Sequence, residues 1–294
     1  MSKTDLANHH IYHDMLEQCE ALILHKVANN APASFHLASG GSRTRAKLCI
    51  NAGIALQLPS HAIFMLAGAI ELLHNASLIH DDLQDNDESR RGVESLWIKF
   101  GKGHAMCAGD LMISAAYSLI ANIKPIESIS ALFTKIHDAV ASTIEGQDLD
   151  LKSQNSMLCE QEYENIAALK SGPLIQLTLT LPLLMAGFPQ YISSAEQAIS
   201  QFAIAYQILD DIDDWQQDLH HSQLNLVNLL ALNTSHQQAL FIACSRAHFL
   251  LKQCQSTLSA MPHHSAASII ETATKMIAKT DRILMSLPKG ELLV

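Results

Sequence analysis

Apolar residues recur at spacings of three and four along almost the whole chain, as in Leu16, Cys19, Ile23 and Val27 and again in Ile63, Leu66, Ala67, Ile70 and Leu73. That is the period of an amphipathic helix, and no stretch shows the sustained alternation of a half-buried strand. Turn-forming groups fall between the periodic segments: Asn29-Asn30-Ala31-Pro32, Leu58-Pro59-Ser60, Gly101-Lys102-Gly103, Lys124-Pro125, Gly187-Phe188-Pro189 and Met261-Pro262. The pattern predicts an all-α protein, a bundle of about ten or more helices around an apolar cavity. No linker, repeat or shift in composition divides the chain, so residues 1–294 read as one domain. The longest apolar stretch, Leu174 to Phe188, contains Gln176, two threonines and Pro182 and falls short of the roughly 20 residues of a spanning helix. It reads as a core helix, and no membrane span is expected.

Only 16% of the residues are charged, yet two aspartate clusters follow apolar stretches directly. They are Asp81-Asp82-Leu83-Gln84-Asp85, after Leu78-Ile79-His80, and Asp210-Asp211-Ile212-Asp213-Asp214, after Gln207-Ile208-Leu209. If each helix continues, Asp81 shares a face with Asp85, and Asp210 with Asp214. Carboxylates so placed repel one another unless a cation lies between them. One acidic run by itself is usually a solvated face, but two copies of the same DDxxD spacing are not. Hard oxygen ligands that leave positions open for water and phosphate suit Mg2+. A calcium loop of the EF-hand type is excluded, because counting from Asp85 puts Arg90 where the turn needs glycine. Both clusters are expected at or near the C-terminal ends of long helices, facing each other across the mouth of the cavity.

The formal net charge of -10 argues against nucleic-acid binding. Basic residues gather locally instead, in Gly40-Gly41-Ser42-Arg43-Thr44-Arg45-Ala46-Lys47 and Arg90-Arg91, which suggests a small anionic ligand. Six scattered cysteines show no CxxC pair and read as core residues of a reducing compartment. The segment Met1 to Asn8 lacks the apolar core of a signal peptide, so a cytoplasmic protein is expected. Sixteen histidines, some adjacent as in His9-His10, His220-His221 and His263-His264, carry no metal-site spacing and read as surface or loop residues. Several Mg2+ ions, arginines and a lysine opening onto an apolar cavity suit a ligand with a diphosphate head and a hydrocarbon tail.

At this point the chain resembles the trans-polyprenyl diphosphate synthases over nearly its whole length. The ordered motifs that carry the resemblance are Gly40 to Arg45, His74 to Asp85, Arg90-Arg91-Gly92, Ala108-Gly109-Asp110, Gly146-Gln147-Asp148-Leu149-Asp150, Lys170-Ser171-Gly172 and Tyr206 to Asp214. The resemblance implies an isoprenoid synthase fold, a homodimer and three Mg2+ ions. Asp81, Asp85 and Asp210 would bind the metal, supported by Asp82, Asp211 and Asp214. Arg90 would hold an allylic diphosphate, while Arg91, Arg45 and His74 would hold isopentenyl diphosphate. Lys170, Ser171 and Gln207 would line the allylic side and steady a developing cation, and Gln147 and Asp150 would support from behind or contact a third metal ion. The implied reaction is ionisation of the allylic substrate, attack by the isopentenyl double bond and proton removal by the departing diphosphate.

Two departures from the family pattern bear on the second substrate. Ser42 stands where the family has lysine and Ala46 where it has proline, and the stretch from Trp215 to Leu251 contains no lysine, although the family places lysines after the second cluster. Arg43, Lys47 or a histidine would have to compensate. Two alternatives to chain elongation stay open: a terpene synthase that ionises an allylic diphosphate without isopentenyl diphosphate, and a non-catalytic partner subunit. Small residues at Ala76 and Ser77, five and four before Asp81, leave room for a long tail, with Leu72, Leu73 and Ile70 deeper along the helix. A product of geranylgeranyl length or beyond is expected.

Overall fold

The protein, described as a computed structural model, is placed over residues 3–124, 126–153, 158–221 and 224–287. Pro125 of the expected Lys124-Pro125 turn lies outside them, as do Ser222 and Gln223 in the lysine-free stretch. Twelve α-helices are found among the described residues, in line with the all-α expectation. They are α1 (Lys3–Val27), α2 (Ala31–Ala38), α3 (Thr44–Ala55), α4 (Ser60–Asp85), α5 (Leu96–Phe100), α6 (Lys102–Ile120), α7 (Ile129–Ser153), α8 (Glu160–Met185), α9 (Ile192–His221), α10 (Leu226–Ala231), α11 (His236–Leu258) and α12 (Ala267–Ser286). A short antiparallel hairpin of β1 (Ser89–Arg90) and β2 (Val93–Glu94) is the strand structure that periodicity did not predict. Two-residue ladders are too short to show alternation.

The chain forms two compact units, Met1–His137 with Leu177–Pro189 and Asp138–Gln176 with Gln190–Val294. In the first, α4 is the central helix and packs on α1, α3 and α6. Its Ile63, Leu66, Ala67, Ile70 and Leu73 are buried as their spacing requires, and so are Ala69 and Leu72 on other faces. A helix apolar on nearly every side belongs inside a core. α2 starts under an Asn30 cap, whose side chain accepts from the Ala33 N–H at 2.9 Å, and Pro32 sits where a missing N–H costs nothing.

In the second unit α9 packs against α11, and α11 against α12. Ala195, Ala198, Ile199, Phe202, Ala203, Ala205 and Ile208 give α9 its buried stripe. Ser235 and Gln238 form a capping box that starts α11. α12 buries Ile269, Ala273, Ile277 and Thr280 along one face. α4 and α8 are each 26 residues long and apolar enough to cross a membrane, but 72% of each one's most apolar window is buried inside the protein. The expected core helix at Leu174 to Phe188 is thus the second half of a longer one.

Candidate functional site

A tight loop opens the basic motif of the first unit. Gly40 and Gly41 adopt φ of 90° and 132°, and a Cβ on Gly41 would sit 2.7 Å from the Arg91 guanidinium carbon. Only glycine lets the backbone approach that group so closely. Arg91 also donates to the Gly40 carbonyl. Its own position comes from the hairpin, where Arg91 and Gly92 occupy the two-residue turn with φ of 57° and 78°. Two successive positive φ values make a type I′ turn, which matches the twist of the flanking strands. Holding Arg91 left-handed costs roughly 1 kcal/mol or more, a local strain that aims the side chain at the glycine loop.

Arg45 Nη1 lies 3.0 Å from His74 Nε2. A guanidinium can only donate, so this ring nitrogen accepts and the imidazole is neutral. Burial, then the charges of Arg45 and Arg91, hold the His74 pKa well below the usual histidine range. Arg45, His74 and Arg91 therefore act on one another as a group. Ser42 is exposed and its hydroxyl pairs with Thr44 at 2.7 Å.

Arg43 behaves differently. It is buried, donates to the Leu37 and Gly40 carbonyls at 2.9 and 3.4 Å, and pairs with Glu71 at 3.6 Å. Its charge is thereby held inside the protein, away from the outward role set out for it as a compensating cation. Glu71, itself buried, accepts from the Ala46 N–H at 3.3 Å. A proline at position 46 would have no such hydrogen to give.

The first aspartate cluster ends α4, with Asp85 as its last residue and Asn86 left-handed at φ 59°. Carboxylates there face the negative end of the helix dipole, which adds to their mutual repulsion. Asp82 is buried, and Arg90 Nε donates to its Oδ1 at 2.6 Å. Arg90 also reaches Asp87 at 3.3 Å. Burial raises the Asp82 carboxyl pKa, and Arg90 opposes that rise. A signal for this inward turn exists in the sequence: Asp82 follows Asn75 and Ile79 on the buried face at spacings of four and three.

The second cluster lies about two turns inside the end of α9 rather than at its terminus. Asp210, Asp213 and Asp214 are exposed, while Asp211 is buried. Asp211 is a hub. Its Oδ2 accepts from the Tyr163 hydroxyl at 2.7 Å and the Leu226 N–H at 2.6 Å, and its Oδ1 accepts from Gln207 at 2.9 Å. Burial nevertheless pushes its pKa up to about 6, against those three donors. Asn225 completes the arrangement: its amide donates to the Asp211 carbonyl at 2.9 Å and to Asp218 at 2.8 Å, while its oxygen caps α10. In the same unit Lys170 pairs with Asp150 at 2.6 Å, with Ser171 half-buried beside it. Gly146 makes that pairing possible, because a Cβ there would lie 2.5 Å from the Lys170 backbone nitrogen. Gln147, next in the chain, keeps its Nε2 buried without a hydrogen-bond partner.

Motif reading missed Glu71, Tyr163, Asn225 and Lys279. Tyr163 precedes Lys170 by seven residues and so lies on the same face of α8, a signal that was available. Lys279, whose ammonium meets Asp213, is 66 residues away and had none.

Among the described residues no three His, Cys, Asp or Glu side chains converge on one point. The two DDxxD clusters present pairs instead. The fit to a divalent cation rests on Asp210 and Asp214, one helical turn apart on α9; partial desolvation, then the Asp214 charge, raises the Asp210 pKa to about 6. A carboxylate crowded by another one helical turn away is what a hard cation relieves, with water or phosphate oxygens completing its shell.

A sequence model of the polyprenyl synthetase family matches residues 28–227. A short chain isoprenyl diphosphate synthase of Methanocaldococcus jannaschii is 29% identical over 187 residues, 62% of this chain and 56% of that protein. The match thus spans little more than half of that relative's length. Two solved structures share the fold. The geranylgeranyl pyrophosphate synthetase of Geoglobus acetivorans superposes with a TM-score of 0.78 at 23% identity, over 89% of this chain and 98% of that one. A polyprenyl synthase of Caulobacter crescentus, complexed with calcium and isoprenyl diphosphate, superposes with a TM-score of 0.79 at 19% identity, over 90% of this chain and 95% of that one.

Proposed function

The chain belongs to the polyprenyl synthetase family, and we propose that it is a Mg2+-dependent prenyltransferase joining isopentenyl diphosphate to an allylic prenyl diphosphate. The product is a longer trans-prenyl diphosphate, of geranylgeranyl length or beyond. The observation that carries this reading over a terpene synthase is the grouping of Arg45, His74 and Arg91 at the Gly40–Gly41 loop. A terpene synthase has no second diphosphate to hold and no use for such a group.

In this reading Arg45, Arg91 and neutral His74 bind the isopentenyl diphosphate as donors. Arg90 binds the allylic diphosphate, and Asp82 holds it in place. Lys170 and Ser171 orient the allylic group, with Gln207 bridging to Asp211. Asp81, Asp85, Asp210 and Asp214 are the metal-facing carboxylates, whereas the buried Asp82 and Asp211 support them. Arg43 supports the glycine loop and makes no substrate contact. Bound Mg2+ supplies Lewis acidity to the leaving diphosphate. The apolar wall along Ala76, Leu73, Leu72 and Ile70 keeps water from the allylic cation.

The protein is proposed to act in the cytoplasm as a homodimer. Six unpaired cysteines agree with a reducing compartment, and a solution mass of twice 32.2 kDa would bear out the dimer. Incubation with Mg2+ and geranyl or farnesyl diphosphate, with and without isopentenyl diphosphate, tests the activity. Longer diphosphates only when both substrates are present support elongation. Hydrocarbon or alcohol from the allylic substrate alone supports the terpene synthase.

A further inference from the structure

Five carboxylates crowd the C-terminal half of α9: Asp210, Asp211, Asp213, Asp214 and Asp218. Asp211 is satisfied by neutral donors and Asp218 by the Asn225 amide. The three exposed ones are followed by a stretch, Trp215 to Leu251, that holds no lysine. Among the described residues, one ammonium reaches them from elsewhere in the fold. Lys279 on α12 pairs with Asp213, and its charge also acts on Asp210, where it opposes the effects of burial and of Asp214. The helix that carries Lys279 is anchored on its other side by buried Ile269, Ala273, Ile277 and Thr280, so the lysine is delivered to the cluster by a fixed element.

We propose that Lys279 is the resident counter-charge of the second aspartate cluster, which a divalent cation must work against and which thereby sets the cluster's metal affinity. The inference rests on the reading of Asp210 and Asp214 as metal-facing carboxylates. Its physical content is a sign. A positive charge beside the carboxylates stabilises them while no metal is bound and repels Mg2+ or Mn2+ as it arrives. Removing that charge therefore tightens metal binding instead of weakening it. A lysine that merely fastened α12 to α9 would leave metal affinity unchanged or, by loosening the cluster, lower it.

The test is Mn2+ binding to the full chain without substrate, read from the electron paramagnetic resonance signal of the free ion. Lys279→Gln is expected to bind Mn2+ roughly three- to tenfold more tightly, the effect of one partly screened charge. Lys279→Arg, which keeps the charge, is expected to bind like the wild type. Unchanged or weaker binding by Lys279→Gln overturns the proposal, as does equal tightening by Lys279→Arg. Asp210→Asn separates the two levels of the argument. If it leaves Mn2+ binding intact, the metal reading itself is wrong. If it abolishes binding while Lys279→Gln fails to tighten it, the inference about Lys279 alone is lost.

Discussion

The Tyr163 hydroxyl donates to Asp211 Oδ2 at 2.7 Å, across 48 residues of sequence and with both side chains buried. This bond ties α8, which carries Lys170, to the aspartate cluster of α9. The Leu226 N–H adds α10 to the same oxygen. One carboxylate thus fixes three helices, and the exposed Asp210, Asp213 and Asp214 on the same helix inherit their positions.

Tyr163→Phe removes one donor from a buried carboxylate without changing the shape of the site. A loss of about 1 to 3 kcal/mol in stability is expected, the cost of an unmet charged hydrogen bond. Urea denaturation with an unchanged m-value measures it. A loss under about 0.5 kcal/mol would mean that the other donors to Asp211 carry the charge alone.

Arg90→Gln separates structure from substrate binding. It leaves Asp82 buried with its charge uncompensated, so stability falls by about 3 kcal/mol. If Arg90 also holds the allylic diphosphate, kcat/KM for that substrate falls by roughly 100-fold while the KM for isopentenyl diphosphate moves little. Equal rises in both KM values would contradict the assignment.

In the proposed reading, the wall of α4 sets product length. Ala76 is fully buried and Ser77 half-buried, one turn before Asp81. Ala76→Phe and, because overpacking a core costs about 1 to 3 kcal/mol, the milder Ser77→Phe are both expected to shorten the product. Chromatography of the dephosphorylated products gives the chain length, and an unchanged distribution from both variants counts against this wall.

Acid sensitivity has a specific source in His36. The ring is buried, and burial, with Arg91 next, lowers its pKa from 6.5 to about 4. A folded-state pKa below the unfolded one gives stability that is present above pH 6.5 and lost as pH falls toward 4, up to about 3 kcal/mol. Asp210 and Asp211, with pKa values raised to about 6, act in the opposite sense, because their protonated forms favour the folded state. The comparison of wild type with His36→Gln isolates the histidine. The stability gap between them is expected to narrow, or to reverse in favour of the variant, from pH 6.5 to pH 4, and a gap independent of pH would refute it.

The all-α architecture and the pairing of Asp81 with Asp85 and of Asp210 with Asp214 are legible in the sequence, because helix period and i, i+4 neighbours depend on a few adjacent residues. The Gly40–Gly41 motif is legible too, although the reason for Gly41 is Arg91, which lies 50 positions away. Tertiary structure alone decided how the charges are used. Arg43 reads as a compensating diphosphate contact and is buried on Glu71; Arg90 is paired with Asp82; Asp213 is met by Lys279. Each of these depends on which helix faces pack together, and packing joins residues whose separation along the chain carries no local signal.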